Sequence, residues 1–250
     1  MKFMGGTPVY RRRRFLAVAA VAFIFVSVAA YDTVRLHRPV TPLPGALSKH
    51  EVPRKQRTLA VEALGRLAVK NRVSSDDYSR EQFGNGWAEG GGCDTRNRIL
   101  RRDLQEVAVD DDNCTVLSGV LTHDPFTARE IPFKRGRATS GDIHIEHLVA
   151  VSDAWQKGAQ ELTARQRRDF YNDPLNLIAT DSAANVEKGG ADAAHWLPDR
   201  AYRCMYVARQ IAVKQKYGLW VTQNERSAME RTLHNCPDQL LPIVNHSKET

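Results

Sequence analysis

The sequence predicts an α+β fold, in which helical segments surround a group of short strands. Short apolar runs bounded by turn residues occupy the middle of the chain and favour strands. The segments on either side carry helix caps and apolar residues at helical spacing. The chain has 250 residues with 42% hydrophobic content, which is enough for one sizeable domain with an extension.

The first 30 residues have the pattern of a targeting segment. A basic run at 11–14 precedes an apolar run at 15–30, which ends in small residues. The apolar run is shorter than the roughly 20 residues of a membrane span, which favours a signal peptide. An N-terminal membrane anchor through residues 15–30 stays open, and the arginine run also fits a twin-arginine export signal. The rest of the chain is therefore predicted to be secreted or extracytoplasmic, either free or membrane-anchored.

The positive charge of the chain is concentrated in this N-terminal segment. The formal net charge is +7, and residues 1–30 contribute five basic residues and no acidic residue. The remainder therefore carries a net charge of only +2. Global charge alone gives no support for nucleic-acid binding.

The four cysteines fall into two local pairs, Cys93/Cys114 and Cys204/Cys236. An even number of cysteines in an exported chain predicts disulfides, and four cysteines allow three connectivities. The sequence alone does not choose among them, but the local pairs are favoured because each bond then joins one structural unit. A zinc site is disfavoured, because the chain contains no Cys-x-x-Cys motif.

The first part of the body is predicted to be a linker followed by two helices. Residues 31–55 contain four prolines and little apolar periodicity, which indicates an extended linker. Apolar residues at helical spacing predict a helix over 56–70, and residues 78–84 are predicted to form a loop. Thr95 is a candidate cap for a helix that runs to Glu106.

Four segments in the middle of the chain are predicted to be strands, because they are short, apolar and bounded by turn residues. They are residues 116–122, 131–134, 143–149 and 175–180. The first two form a hairpin around a turn that contains Pro125.

The remaining elements are predicted to be helices with recognisable ends. Ser152 and Thr163 are candidate N-caps, and residues 222–225 fit a capping box. Glycine follows two of the helices, as is typical of helix C-termini. The helices delimited in this way cover residues 163–171, 182–188, 201–217 and 222–235. Residues 237–250 are predicted to form a disordered tail.

Five polar residues have the composition of a phosphodiesterase site. Glu146 and His147 lie at the end of an apolar strand, and Asn176, Asn185 and Lys188 follow on the next strand and helix. A neutral imidazole accepts a proton from water at neutral pH. Carboxylate and amide oxygens are ligands that suit Mg²⁺ or Mn²⁺ better than zinc.

Several short motifs occur in order between residues 92 and 236. They are GCDTRNR at 92–98, DPFT at 124–127, EHLVA at 146–150, DAW at 153–155, NLIA at 176–179, NVEK at 185–188 and WLP at 196–198. In this order they resemble the HNH nucleases, also called His-Me finger or ββα-metal nucleases. The resemblance is greatest to a branch of exported bacterial proteins whose domain also forms the C-terminal end of a modification-dependent restriction endonuclease.

The resemblance implies a small ββα-metal core with additional helices and a β-hairpin, within a nuclease domain at 56–236. It implies that His147 is the general base and that Asn176 orients its ring. It further implies that Glu146 and Asn185 hold one metal ion. Lys188 is implied to lie near the phosphate. The family usually has Asp at the position of Glu146, and Glu is also a hard oxygen ligand but one methylene longer.

Structural roles for the same residues stay open. Glu146 fits a solvent-facing strand position, Asn176 a strand–loop junction and Asn185 an ordinary helix position. Lys188 fits a solvated helix end favoured by the helix dipole. His144 shares a strand face with Glu146, which makes it a further candidate for a metal ligand or a phosphate contact. Arginines in the motif at 92–98 fit either phosphate contacts or a surface helix.

The sequence thus predicts an exported endonuclease that uses one Mg²⁺ or Mn²⁺ ion and hydrolyses DNA, with RNA as the less favoured candidate substrate. The nearly neutral body favours a limited phosphate footprint without sequence specificity. One alternative is a catalytically inactive nuclease-like module that binds an envelope partner, and an occluded His147 would favour it. Another is a membrane-anchored structural protein that uses residues 56–250 for protein contacts.

Overall fold

The computed structural model of the chain describes residues 58–137 and 139–242. The predicted targeting segment at 1–30, the linker at 31–55 and residues 243–250 of the predicted tail lie outside the described residues. No helix in the described ranges has the length and apolar character needed to cross a membrane.

The described residues form helices, strands and two short 3-10 turns. The helices are α1 (Ala60–Arg66), α2 (Thr95–Asp103), α3 (Val151–Trp155), α4 (Ala164–Tyr171), α5 (Ser182–Lys188), α6 (Arg203–Tyr217) and α7 (Gln223–His234). The strands are β1 (Glu89–Gly90), β2 (Cys93–Asp94), β3 (Gln105–Val109), β4 (Val116–Leu121), β5 (Ile131–Lys134), β6 (Ile143–His147) and β7 (Leu177–Asp181). The 3-10 turns are Arg80–Phe83 and Ala159–Glu161. Helices packed with small antiparallel sheets confirm the predicted α+β class.

The largest sheet in the described residues contains the predicted hairpin. Strands β4 and β5 pair antiparallel, which confirms the hairpin, and β3 adds to the other edge of β4. The sequence did not predict β3. Its pairing with β4 is irregular, and Glu106 within it has a φ of 52°, so its side chains lack the regular alternation of a strand.

Strands β6 and β7 and helix α5 form a ββα unit of the kind that the resemblance implies. The two strands are antiparallel, with Ile143 opposite Asp181 and His147 opposite Leu177. Helix α5 starts directly after β7, because the Asp181 side chain accepts the backbone N–H of Ala184 and caps the helix. This unit fixes α5 beside β6.

The alternation of β6 sorts the candidate residues between its two faces. Ile143, Ile145 and His147 are buried, whereas His144 and Glu146 between them are half-buried. Residues two apart on a strand point the same way. His144 therefore shares a face with Glu146, as the sequence predicted, while His147 faces the packed interior.

Most helix ends follow their predicted caps, with two corrections. Thr163 caps α4, as predicted, and Gln166 completes a capping box with it. Helix α2 is capped by Asp94 and not by Thr95, since the carboxylate accepts a backbone N–H in the first turn. Ser152 lies inside α3, whose first flanking residue is Ala150 with no side-chain cap.

A buried ionic cluster holds α3, α7 and the loop after α5 together. Asp153, Asp192 and Glu225 surround the Nζ atom of Lys157 at 2.6–2.7 Å, and all four residues are at most 2% exposed. Thr222 caps α7 by accepting the N–H of Glu225, as in the capping box predicted at 222–225, but the Glu225 carboxylate faces the core instead of closing the box. Such a cluster is stable only when every charge has partners. Here two further cations balance the carboxylates, since Arg72 contacts Asp153 and Asp192, and Lys214 contacts Asp153 and Glu225.

Two disulfides confirm the favoured local pairing. Cys93 bonds to Cys114, and Cys204 bonds to Cys236. The first joins β2 to the residues before β4. The second joins the start of α6 to the residues after α7, so each bond closes one structural unit.

The residues after α7 pair with the first described residues. Leu240 and Leu59 form an antiparallel bridge, and the N–H of Leu241 donates to the carbonyl of Thr58 at 3.0 Å. Leu241 also packs against the main apolar core. The expectation of a tail without structure from 237 onward is therefore wrong for residues 237–242.

Candidate active site

A cavity of about 410 Å³ opens where β6 ends beside α5. Its lining includes His144, Glu146 and His147 from β6 and Asn185 from α5. The structure thus brings four of the six candidate site residues to one cavity. The other two lie behind its wall and are buried.

The imidazole of His147 is held by a backbone carbonyl and by aromatic rings. Its Nε2 atom lies 2.8 Å from the carbonyl oxygen of Tyr171. A carbonyl oxygen only accepts, so Nε2 carries the proton and Nδ1 keeps its lone pair in the neutral ring. Trp87 stacks on the imidazole with centroids 5.8 Å apart, and Phe170 and Tyr171 also contact it. These contacts fix the tautomer in which Nδ1 is the basic atom.

Burial keeps this ring uncharged. His147 is 2% exposed, and burial lowers the pKa of the imidazole to about 3. The hydrogen bond to Tyr171 opposes this shift, whereas the positive charges of Arg80 and Lys188 add to it. At neutral pH the ring is therefore a neutral proton acceptor.

Glu146 and Lys188 form an ion pair at the wall of the cavity. The Nζ atom of Lys188 lies 2.7 Å from Oε1 of Glu146 and donates to the carbonyl oxygen of His147 at 3.1 Å. Lys188 is 1% exposed, so it is neither a solvated helix end nor a group at the cavity surface. The structure places it behind Glu146, where its charge compensates the carboxylate.

His144 and Asn185 contact each other across the ββα unit. The Nδ2 atom of Asn185 lies 3.0 Å from Nδ1 of His144. An amide nitrogen only donates, so this contact uses the nitrogen and leaves the amide oxygen of Asn185 to accept from another group or to bind a cation.

Asn176 holds the residues after β6 in place, and its side chain hydrogen-bonds the backbone of Val149 and not the ring of His147. Its Oδ1 accepts the N–H of Val149 at 2.9 Å, and its Nδ2 donates to the carbonyl of Val149 at 3.3 Å. The backbone N–H of Leu148 donates to the carbonyl of Asn176 at 2.8 Å. Because Val149 occupies the amide, the orienting contact that the resemblance assigned to Asn176 is made by Tyr171 instead.

Two arginines also line the cavity. Arg80 donates to the hydroxyl of Tyr171 at 3.1 Å, and its guanidinium lies over the same ring. Arg96 donates to the carbonyl of Ile143 at 3.2 Å, and burial lowers its pKa. Arg96 belongs to a motif visible in the sequence. Arg80 was missed, since it lies in a segment predicted to be a loop and carries no motif.

The donor atoms at the cavity suit a hard divalent cation. Glu146 offers a carboxylate and Asn185 an amide oxygen. His144 Nδ1 faces the amide nitrogen of Asn185, so in the neutral ring Nε2 carries the proton and has no lone pair for a cation while this contact is kept. Within residues 58–137 and 139–242, no group of three or more His, Cys, Asp or Glu side chains is arranged to hold a metal ion. A cation here would rely on one carboxylate, the amide, waters and substrate oxygens, which is how Mg²⁺ is commonly held.

Comparison with known proteins places these residues in a family. The family model described as "GmrSD restriction endonucleases, C-terminal domain" matches residues 94–232. A protein of Arthroderma benhamiae named "Uncharacterized secreted protein" is 35% identical over 180 residues, which cover 71% of this chain and 84% of that protein. No solved structure gives a significant match. The matched segment spans more than half of the chain and includes every candidate site residue, so the chain belongs to the family of GmrSD restriction endonuclease C-terminal domains.

Proposed function

We propose that the protein is a secreted, metal-dependent endonuclease of the HNH type that hydrolyses phosphodiester bonds of DNA, with RNA as a second substrate. The observation that carries this proposal is the meeting of a neutral His147, in a fixed tautomer, with the oxygen donors of Glu146 and Asn185 at one cavity. Membership of the GmrSD C-terminal domain family supports a nuclease. The secreted relative and the two disulfides support a location outside the cytoplasm.

In this proposal His147 is the general base. Its Nδ1 atom accepts a proton from a water molecule, whose oxygen attacks phosphorus while one P–O ester bond breaks. The Nε2–H group keeps its hydrogen bond to Tyr171 throughout, so the ring does not rotate during the transfer. The leaving oxygen takes a proton from solvent, and the products are one phosphate monoester and one hydroxyl end.

Glu146 and Asn185 are the residues that would hold Mg²⁺ or Mn²⁺. His144, the third candidate ligand, would join them only by giving up its hydrogen bond with Asn185. When bound, the cation supplies Lewis-acid stabilisation of the negative charge that builds on the phosphate and the leaving oxygen. Lys188 holds the Glu146 carboxylate from behind at 2.7 Å. This ion pair restrains a side chain that is one methylene longer than the Asp usual in HNH nucleases.

Arg80 and Arg96 are the proposed contacts to substrate phosphates beside the reaction site. They come from different elements, a 3-10 turn and α2, and both line the cavity. A planar guanidinium binds two phosphate oxygens at once, which positions the phosphodiester as well as attracting it. The cavity is therefore suited to a polyanion even though the body of the chain is nearly neutral.

The second candidate function is a catalytically inactive nuclease-like module that binds an envelope partner. The observation that favours it is the burial of His147, of which only 2% is exposed. However, the residue lines the cavity, and a general base needs only one nitrogen within reach of water. Cleavage of nucleic acid distinguishes the two functions.

Digestion of supercoiled plasmid DNA by the purified exported protein tests the proposal. We expect nicked and linear products in Mg²⁺ or Mn²⁺ and none after a chelator is added. Glu146→Ala should abolish this cleavage, and Glu187→Ala, on the exposed side of the same helix as Lys188, is the matched control. Intact plasmid with every divalent cation tried would favour the inactive module, and cleavage in excess chelator would contradict the metal requirement.

A further inference from the structure

A second cavity, of about 510 Å³, lies between the start of α6 and the end of α7. Arg200, Arg203 and Arg231 line it, and no carboxylate residue does. We propose that this arginine groove binds the phosphodiester backbone of the nucleic-acid substrate away from the reaction site. The inference rests on the proposed nuclease function and extends it to a second binding site.

The three arginines are not neutralised by the fold. In the part of the chain that the structure describes, none of them forms an ion pair with a carboxylate. Arg203 donates through Nε to the carbonyl of Pro198 at 2.8 Å, which leaves its two terminal nitrogens for a ligand. Arg200 and Arg231 are exposed. Three uncompensated guanidinium groups around one groove form a site for an anion with several charges.

The start of α6 adds to the positive potential of the groove. Helix α6 has 15 residues, and no side chain caps its N-terminus at Tyr202. Its first two residues, Arg203 and Cys204, line the groove. Free backbone N–H groups and the positive end of the helix dipole both favour bound phosphate.

The groove is preformed. The disulfide between Cys204 and Cys236 ties the start of α6 to the residues after α7, and these two elements carry Arg203 and Arg231. Fixing the positions of the charges before binding lowers the ordering cost that a ligand has to offset.

One short loop borders both the groove and the candidate active site. Gly189 and Gly190, directly after α5, line the active-site cavity, and Ala193 and Ala194 line the groove. A strand of nucleic acid whose scissile phosphate lies at the active site can therefore follow this loop to the arginines. This adjacency is the reason to assign the groove to the substrate backbone and not to a separate small anion.

The test compares two double variants that each remove two positive charges. Arg200→Gln/Arg231→Gln alters the groove, and Arg66→Gln/Arg226→Gln is the matched control, in which both arginines already pair with a carboxylate on their own helix. Both are made in the full chain carrying His147→Ala, so that binding is measured without cleavage. The readout is fluorescence anisotropy of a labelled DNA duplex over a series of salt concentrations, after thermal unfolding has confirmed that each variant is folded.

Affinity falls as salt rises, and each phosphate contact steepens the plot of log affinity against log salt by about 0.9. The groove variant lacks two such contacts, so its slope should be shallower by about 2 than that of the parent. Between 50 and 200 mM salt, the parent should then lose roughly tenfold more affinity than the groove variant. An unchanged slope in the groove variant, an equal change in the control, or no binding by the parent would overturn the inference. If the binding follows this pattern but the wild-type protein cuts no nucleic acid, the nuclease proposal is refuted and the proposal of the arginine groove stands.

Discussion

Lys188 is a buried cation whose main partner is a candidate metal ligand. Its Nζ atom contacts the Glu146 carboxylate and the carbonyl oxygens of His147 and Gly189. Replacing it with an apolar residue leaves a carboxylate in a poorly hydrated place without a counter-charge. We expect Lys188→Met to lower the free energy of unfolding by about 3 kcal/mol.

Urea unfolding measures this effect, and a second variant separates it from simple misfolding. Lys188→Met/Glu146→Gln removes both charges and should recover most of the lost stability, because no unpaired carboxylate remains. A Lys188→Met protein that unfolds at the same urea concentration as the wild type would show that the ion pair does not stabilise this site.

Metal affinity tests the two proposed oxygen ligands separately. We expect Glu146→Gln and Asn185→Ala each to weaken Mg²⁺ or Mn²⁺ binding by more than tenfold, since removing even an outer partner of a ligand costs about 10–100-fold. Isothermal titration calorimetry measures this, with Glu187→Gln as a control on the same helix. Wild-type affinity in both variants would remove these residues from the site. Loss in His144→Ala alone would assign the cation to the histidine.

The sequence indicated four of the residues that line the cavity, but not the contacts that hold each of them in place. The spacing of Glu146, His147 and Asn185 on a strand and a helix carries enough information to bring them together. The partner of His147 is a backbone carbonyl, that of Tyr171, and a carbonyl has no sequence signal. The burial of Lys188 depends on how α5 packs against β6, which is also invisible in a local pattern.

At the level of whole elements, the sequence predicted the helices and strands whose formation depends on local interactions. The hairpin β4–β5, the capped helix α4 and the short helix α5 each depend on a turn or cap within a few residues, and all three are present. Strand β3 depends on pairing with β4 through an irregular register, so its own sequence does not predict a strand. Glu225 likewise fits a local capping motif in the sequence, but in the structure its carboxylate pairs with Lys157, which is distant in the sequence.

The buried ionic cluster around Lys157 makes the packing of α3, α7 and the loop after α5 sensitive to acid. Burial raises the pKa of Asp192, but the ion pair and hydrogen bond with Lys157, the hydrogen bond with His195 and the charge of Arg72 together outweigh this effect and lower the pKa well below its usual range. A carboxyl group with a lowered folded-state pKa stabilises the fold above its unfolded pKa of about 4, and this stabilisation is lost as the pH falls further.

We therefore expect Asp192→Asn to be much less stable than the wild type at pH 6, with the difference shrinking as the pH falls below 4. The free energy of unfolding, measured from pH 3 to 7, gives the difference directly, and the contribution of His147 cancels because both proteins contain it. Asp76→Asn, at an exposed position, is the control and should show a small difference at every pH. A constant difference for Asp192→Asn across this range would contradict the assigned ion pairs.

At the scale of the whole chain, a small net charge coexists with sites that are locally positive. Outside residues 1–30 the net charge is only +2, yet two neighbouring cavities are lined by arginines. Two disulfides, which close segments of 21 and 32 residues, restrict the unfolded chain. In the chain-entropy model each contributes roughly 3–4 kcal/mol, which is consistent with the proposed location outside the cytoplasm.

The rate of DNA cleavage by His147→Asn tests the central claim most directly, because this variant keeps much of the buried volume but has no basic nitrogen. We expect the rate to fall by about 10²–10⁴-fold, with metal binding and DNA binding retained. His123→Ala, which removes an exposed histidine from the hairpin turn, should cleave at the wild-type rate. Cleavage by folded His147→Asn at the wild-type rate would contradict the account, since no other residue is assigned to take the proton from water.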